Sequence, residues 1–233
     1  KSRIILLNKS DLADAGLNQE WESFFKEKGY FVQQLNAKTG AGIKNIQALV
    51  QESCKEKIER DRKRGIINRP VRAMVVGIPN VGKSTFINSF AGKACAKTGN
   101  KPGVTKGKQW IRLNKNLELL DTPGILWPKF EDQKIGERLA LIGSINDEIL
   151  HVDELAVALI RNLKNSYLDL LEKRYDITMD EDAYDTLKKI AIARKCLQKG
   201  ELPDVDRASS MLLEDFRSGK LGRITLERPE EWQ

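Results

Sequence analysis

One histidine and three cysteines are too few for several kinds of chemistry. His151, Cys54, Cys95 and Cys196 lie far apart and offer no metal-ligand spacing, which argues against a zinc or iron–sulfur centre. An odd number of scattered thiols also makes a poor disulfide framework. It fits a reducing compartment, the cytoplasm, or an organelle if the source is eukaryotic. No uncharged apolar run approaches the ~18 residues of a membrane span, and no signal peptide opens the sequence. No membrane partner is expected. One stretch lacks acid altogether: residues 93–115 hold seven basic side chains and no acidic one. The formal charge of +7 is unevenly spread, because residues 150–233 balance at −3 and residues 1–149 at +10. Such a basic first part attracts polyanions, and counterion release makes nucleic acid a natural partner. A solvated lysine-rich face would account for the same charge.

What is present is a chain of 233 residues, 40% apolar and 31% charged, enough for a large domain and a small one. Short apolar strands are predicted at 3–7, 30–35, 71–76, 109–113 and 117–120, with helices at 18–28, 43–64, 83–90 and 132–143. Strands alternating with helices imply an α/β layered domain with a mostly parallel sheet, placed at 1–146. From 147 to 233 the pattern is helical only, with apolar faces at Leu155–Leu171, Tyr184–Leu197 and Val205–Phe216 and Asp204 as a cap.

Gly77-Ile-Pro-Asn-Val-Gly-Lys-Ser84 fits G-x-x-x-x-G-K-[ST] between a strand and a helix. Such a pattern arises by chance in roughly one chain in a hundred of this length. Asn80, Val81, Gly82, Lys83, Ser84 and Thr85 would wrap phosphates with backbone N–H groups. Lys83 would reach the β- and γ-phosphates and Ser84 would bind Mg²⁺. Asp121 and Gly124, in Asp121-Thr-Pro-Gly124 at the end of an apolar strand, would serve Mg²⁺ and the γ-phosphate. Asn8-Lys9-Ser10-Asp11 ends another such strand. A carboxylate at Asp11 can accept from both N1–H and the exocyclic amine of guanine, a donor pair adenine lacks. Asn8 can brace that loop and the Lys9 stem can lie along the base. Asn36-Ala37-Lys38, at the next strand end, could offer a backbone N–H to guanine O6.

These segments resemble the GTPase motif set in circularly permuted order, with the base-reading loops ahead of the P-loop. Gly77 to Ser84, Gly99-Asn-Lys-Pro-Gly-Val-Thr-Lys106 with Gln109-Trp110, Asp121 to Pro128, and the closing Phe216 to Glu227 together resemble the ribosome biogenesis GTPase A (RbgA/YlqF) family over essentially the whole chain. That resemblance implies GTP/GDP as ligand, Mg²⁺ held by Ser84, Thr105 and Asp121, and a catalytic set of Lys83, Asn80, Thr105 and Gly124. It also implies K⁺ held by Asn80 in the arginine-finger position. The implied partner is the large ribosomal subunit precursor and its rRNA, with the protein a monomer off the ribosome.

Further expectations follow from the motif positions. Ile125 stands where Ras-like enzymes place a water-orienting glutamine, so intrinsic turnover should be slow. The basic stretch contains Thr105, so a γ-phosphate that orders this loop would also order Lys101, Lys106 and Lys108 and raise RNA affinity. Arg217, Lys220 and Arg223 are expected to touch rRNA, or else to complement helix ends. In the unpermuted fold a strand–helix unit stands between the P-loop strand and the Asn8–Asp11 strand. Here no counterpart precedes Lys1, and an additional segment of ~50 residues is expected there. A GTP-dependent switch for protein assembly factors, another permuted GTPase, and a P-loop ATPase or kinase are the alternatives. Asp11 speaks against the last.

Overall fold

The computed structural model describes residues 2–66, 69–97, 99, 107–126, 132–146 and 151–232. Contacts divide the chain into two compact units, Lys1–Leu126 with Glu227–Gln233, and Trp127–Leu226.

The first unit is α/β. β1 (Ile4–Leu7) and β2 (Phe31–Gln34) pair in parallel, and β3 (Val71–Val75), β5 (Leu117–Asp121) and β4 (Gln109–Asn114) form a second sheet in that order. β3 and β5 run parallel, while β4 and β5 form an antiparallel hairpin. One core joins the two sheets. Leu35, Ile46, Val50, Phe86, Ile87, Ile111, Leu117 and Leu119 pack together, so α2 (Ile46–Ser53) and α4 (Lys83–Ala91) cover the same side of the domain. α1 (Ala15–Glu27) starts at Asp14, whose carboxylate accepts the Leu17 N–H at 3.0 Å, an N-cap the sequence reading passed over. Trp21 of α1 stacks on Phe25 and donates its indole N–H to the Glu227 carbonyl (3.2 Å), which seats the closing residues of the chain on α1.

The helix expected over 43–64 is broken. A 3-10 turn at Ile43–Asn45 leads into α2, and Cys54 (φ −107°, ψ 9°) separates α2 from α3 (Lys55–Lys63). α3 has no fully buried residue, and Ile58 is only half-buried.

The second unit is helical: α5 (Gln133–Leu141), α6 (Val152–Ser166), α7 (Leu168–Tyr175), α8 (Ala183–Ala193) and α9 (Val205–Arg217). α6 is its axis, with Leu155, Leu159, Ile160 and Leu163 buried against α8 and α9. α6 and α7 are two helices where one was expected, parted at Tyr167, whose hydroxyl accepts the Thr225 N–H (3.2 Å). Asp182 and Asp204 cap α8 and α9, the latter as anticipated. The sequence reading put α5 with the α/β domain; Ala140 and Leu141 instead pack into this helical core.

Two residues of the expected RNA cluster have partners within the helical unit. Arg217 donates from Nε to the Leu141 carbonyl and from a terminal nitrogen to the Ala140 carbonyl, both at 2.8 Å, satisfying the end of α5. Lys220 lies 3.5 Å from the buried carboxylate of Asp215. Arg217→Met keeps the aliphatic stem and removes the guanidinium donor from the Leu141 carbonyl, while the Ala140 carbonyl still accepts the Gly143 N–H (2.9 Å). The substitution should destabilise the helical unit by about 2 kcal/mol, read from chemical denaturation.

Candidate functional site

Each motif sits where a strand ends or a helix begins. β3 runs into the P-loop, and α4 opens at Gly82, whose φ of +90° suits glycine. A methyl group there would lie 2.5 Å from Asn8 Nδ2. The first turn of α4 therefore presents the N–H groups of Lys83, Ser84 and Thr85 around a helix N-terminus, where a phosphate is favoured. Lys83 Nζ donates to the carbonyls of Gly77 (3.0 Å) and Ile78 (2.8 Å), holding the loop around its own side chain. Burial pushes the Lys83 pKa down, and the nearby charge of Asp121 partly opposes this.

Asp121 ends β5 at 2% exposure. Its Oδ2 accepts the Ser84 hydroxyl at 3.3 Å, and its Oδ1 is buried with no hydrogen-bond partner among the described residues. Burial pushes its pKa up; the Ser84 hydroxyl, the Thr122 N–H and the Lys83 charge act the other way. A buried carboxylate oxygen with an unused lone pair, beside a serine hydroxyl, is a donor set that suits a hard divalent cation such as Mg²⁺. Thr122 donates its hydroxyl to the Val75 carbonyl (2.7 Å), which ties this segment to the P-loop strand. Gly124 packs directly against the P-loop, for a methyl there would stand 2.5 Å from Pro79 Cα. A larger residue would have to displace backbone. Ile125 is 73% exposed and carries no polar atom to orient water.

Asn8 joins the Asn8–Asp11 and Asn36–Lys38 loops to the P-loop. Its Nδ2 donates to the Val81 carbonyl (2.8 Å) and its Oδ1 accepts the Ala37 N–H (3.0 Å). Lys9, in the left-handed region (φ 57°), donates from Nζ to the Asn80 carbonyl (3.1 Å), and Asn80 shares that conformation (φ 60°). The chain returns from β2 alongside, with the Ser10 N–H donating to the Leu35 carbonyl (3.1 Å). Asp11 is exposed beyond this junction. Asn36 folds its own loop by accepting the N–H groups of Lys38 (2.9 Å) and Thr39 (3.1 Å), while its own N–H goes to the Ala41 carbonyl (3.0 Å). All three N–H groups of Asn36-Ala37-Lys38 thus donate within the protein. A guanine O6 at this turn would have to share or displace one of them.

The structure therefore gathers Asn8, Lys9, Ala37, Asn80, Val81 and Gly82 at one junction, and Lys83, Ser84, Asp121 and Gly124 around the P-loop. Thr105, with Lys101 and Lys106, lies outside the described residues. The sequence reading gave Asn8 only a bracing role within its own loop. Its reach of 73 residues to Val81 carries no local signal. The Thr122 tie and the Pro79–Gly124 contact were not foreseen either.

A family model described as "50S ribosome-binding GTPase" matches residues 72–187. It begins in β3 and takes in the P-loop and Asp121-Thr-Pro-Gly124, whereas Asn8–Asp11 stands ahead of it, as a permuted order requires. Ribosome biogenesis GTPase A of Bacillus cereus is 47% identical over all of this chain and 79% of its own length. The protein of the same name from Thermotoga maritima is 32% identical over 99% of this chain and 78% of its own. The crystal structure of GNP-bound YlqF from T. maritima matches with a TM-score of 0.63 at 29% identity, covering 97% of this chain and 82% of that one.

Proposed function

This chain belongs to the ribosome biogenesis GTPase A family, and from that premise we propose that it binds GTP across the Asn8–Val81 junction and hydrolyses it during assembly of the large ribosomal subunit. The observation that carries the reading is that junction: one side chain holds the candidate base loops and the phosphate loop together across 73 residues of sequence.

In this reading Asp11 recognises the guanine edge. The Lys83 ammonium turns from the Gly77 and Ile78 carbonyls to the β- and γ-phosphates, and the α4 N–H groups hold the phosphate oxygens. Ser84 and Asp121, with Thr105 added, would hold Mg²⁺, which would neutralise charge on the phosphates. Gly124 offers its N–H to the γ-phosphate. Ile125 leaves the attacking water without a side-chain partner, so basal turnover is slow. Asn80 would help hold K⁺, which would supply the activating charge, and the large subunit would complete the site. Precursor rRNA is the partner, bound more tightly in the GTP state. The protein acts as a cytoplasmic monomer when off the ribosome.

The test is GTP turnover in potassium against sodium, with and without purified large subunits. Potassium should raise turnover about tenfold, and subunits should raise it further. Asn80→Gly removes the amide yet suits the left-handed backbone, so it should lose the potassium effect while keeping nucleotide affinity. Equal turnover in all conditions would favour the other reading, a GTP-dependent switch that recruits protein factors.

A further inference from the structure

Asn18, the fourth residue of α1, is buried at 7% exposure. An asparagine is costly there. It is a weak helix former, and its amide must find partners away from water. For folding alone, a leucine would serve that position better. What the amide does is donate from Nδ2 to the Ser10 carbonyl at 3.0 Å. That carbonyl belongs to the peptide unit joining Ser10 to Asp11. The rest of the turn is pinned as well. Ser10 donates its N–H and its hydroxyl to the Leu35 carbonyl, both at 3.1 Å. The Leu12 N–H closes the turn on the Lys9 carbonyl at 2.9 Å. Asp11 itself is exposed, so the backbone on either side sets the direction of its side chain.

We propose that Asn18 is a positioning residue for base selection, an inference that rests on the reading that Asp11 recognises the guanine edge. By fixing the Ser10–Asp11 peptide plane, Asn18 aims the Asp11 carboxylate at N1–H and the 2-amine together. Two hydrogen bonds to one base edge tolerate little angular error, and a swing of that plane would spoil both. Asn8 and Lys9 tie the same loop to the P-loop. They set where the loop stands relative to the phosphates, whereas Asn18 works from α1 and sets how Asp11 is turned.

Inosine triphosphate is the probe, because its base keeps N1–H and O6 but lacks the 2-amine. Calorimetry should show the unmodified chain binding GTP about 30-fold more tightly than inosine triphosphate, the worth of one hydrogen bond to a charged acceptor. Asn18→Leu fills the volume of the amide and Asn18→Ala empties it. Both should lower that preference to about threefold, and by the same factor. Asp11→Ala should abolish the preference, and adding Asn18→Leu to it should change nothing further, as expected of two residues that act as one unit. If Asp11→Ala abolishes the preference while both Asn18 variants keep it, the positioning role is wrong and guanine recognition by Asp11 stands. If Asn18→Ala lowers the preference and Asn18→Leu does not, Asn18 acts by packing and the proposal is overturned. If the unmodified chain binds both nucleotides equally, or Asp11→Ala keeps the preference, the base reading fails and the role of Asn18 falls with it.

Discussion

Asp11→Asn is expected to lower GTP affinity by about 10³-fold and to confer binding of xanthosine triphosphate. The carboxylate accepts two hydrogen bonds from guanine; an amide presents a donor there, which repels the guanine amine and suits the 2-oxo group of xanthine. A buried polar mismatch of this kind reaches discriminations of about 10⁴. Asp11 is exposed, so water recovers part of that loss. Calorimetry with GTP, ATP and xanthosine triphosphate gives the readout. A variant that kept its GTP affinity would move base recognition away from Asp11 and undo the guanine assignment.

Asp121→Asn is expected to slow hydrolysis by about 10²- to 10³-fold while making the nucleotide-free protein more stable. In the folded state burial holds the carboxyl pKa above its ordinary value. The charged form is therefore disfavoured by folding, and the cost grows as pH rises above the ordinary carboxylate range. An amide removes that cost at neutral pH, with a gain of about 1 kcal/mol. The gain should shrink as pH falls through the carboxylate range, where the native side chain is already protonated. Thermal melts of both proteins across pH, without nucleotide, measure this independently of activity. Equal melting at neutral pH would mean that Oδ1 is solvated and that the divalent site is not prepared in advance.

The sequence shows most plainly what depends on neighbours along the chain. The P-loop lies between a strand and a helix, Asp204 caps α9, and Gly92 closes α4 in the left-handed region, each a local matter of backbone geometry. The breaks at Cys54 and Tyr167 do not show, because apolar residues recur at helical spacing on both sides. The helices that follow the two breaks differ: α3 has no fully buried residue, whereas α7 buries Leu171 and Tyr175. Long-range partners are equally silent. Arg217 reads as a surface cation beside glycines until the carbonyls of Ala140 and Leu141 come into view. The residues of the candidate phosphate site were named from the sequence, and the structure brings Lys83, Ser84, Asp121 and Gly124 together. What holds them in place was only partly legible: the Thr122 hydroxyl on Val75, Pro79 beneath Gly124, and the span of Asn8.

The seating of Glu227 on Trp21 makes the helical unit an insertion rather than an appendage. Its polypeptide departs two residues after Gly124 and rejoins the first unit through an indole ten residues after Asp11. Cutting one of these tethers would still leave the other attached. Each tether begins close in sequence to one end of the candidate nucleotide site, Gly124 at one and Asp11 at the other.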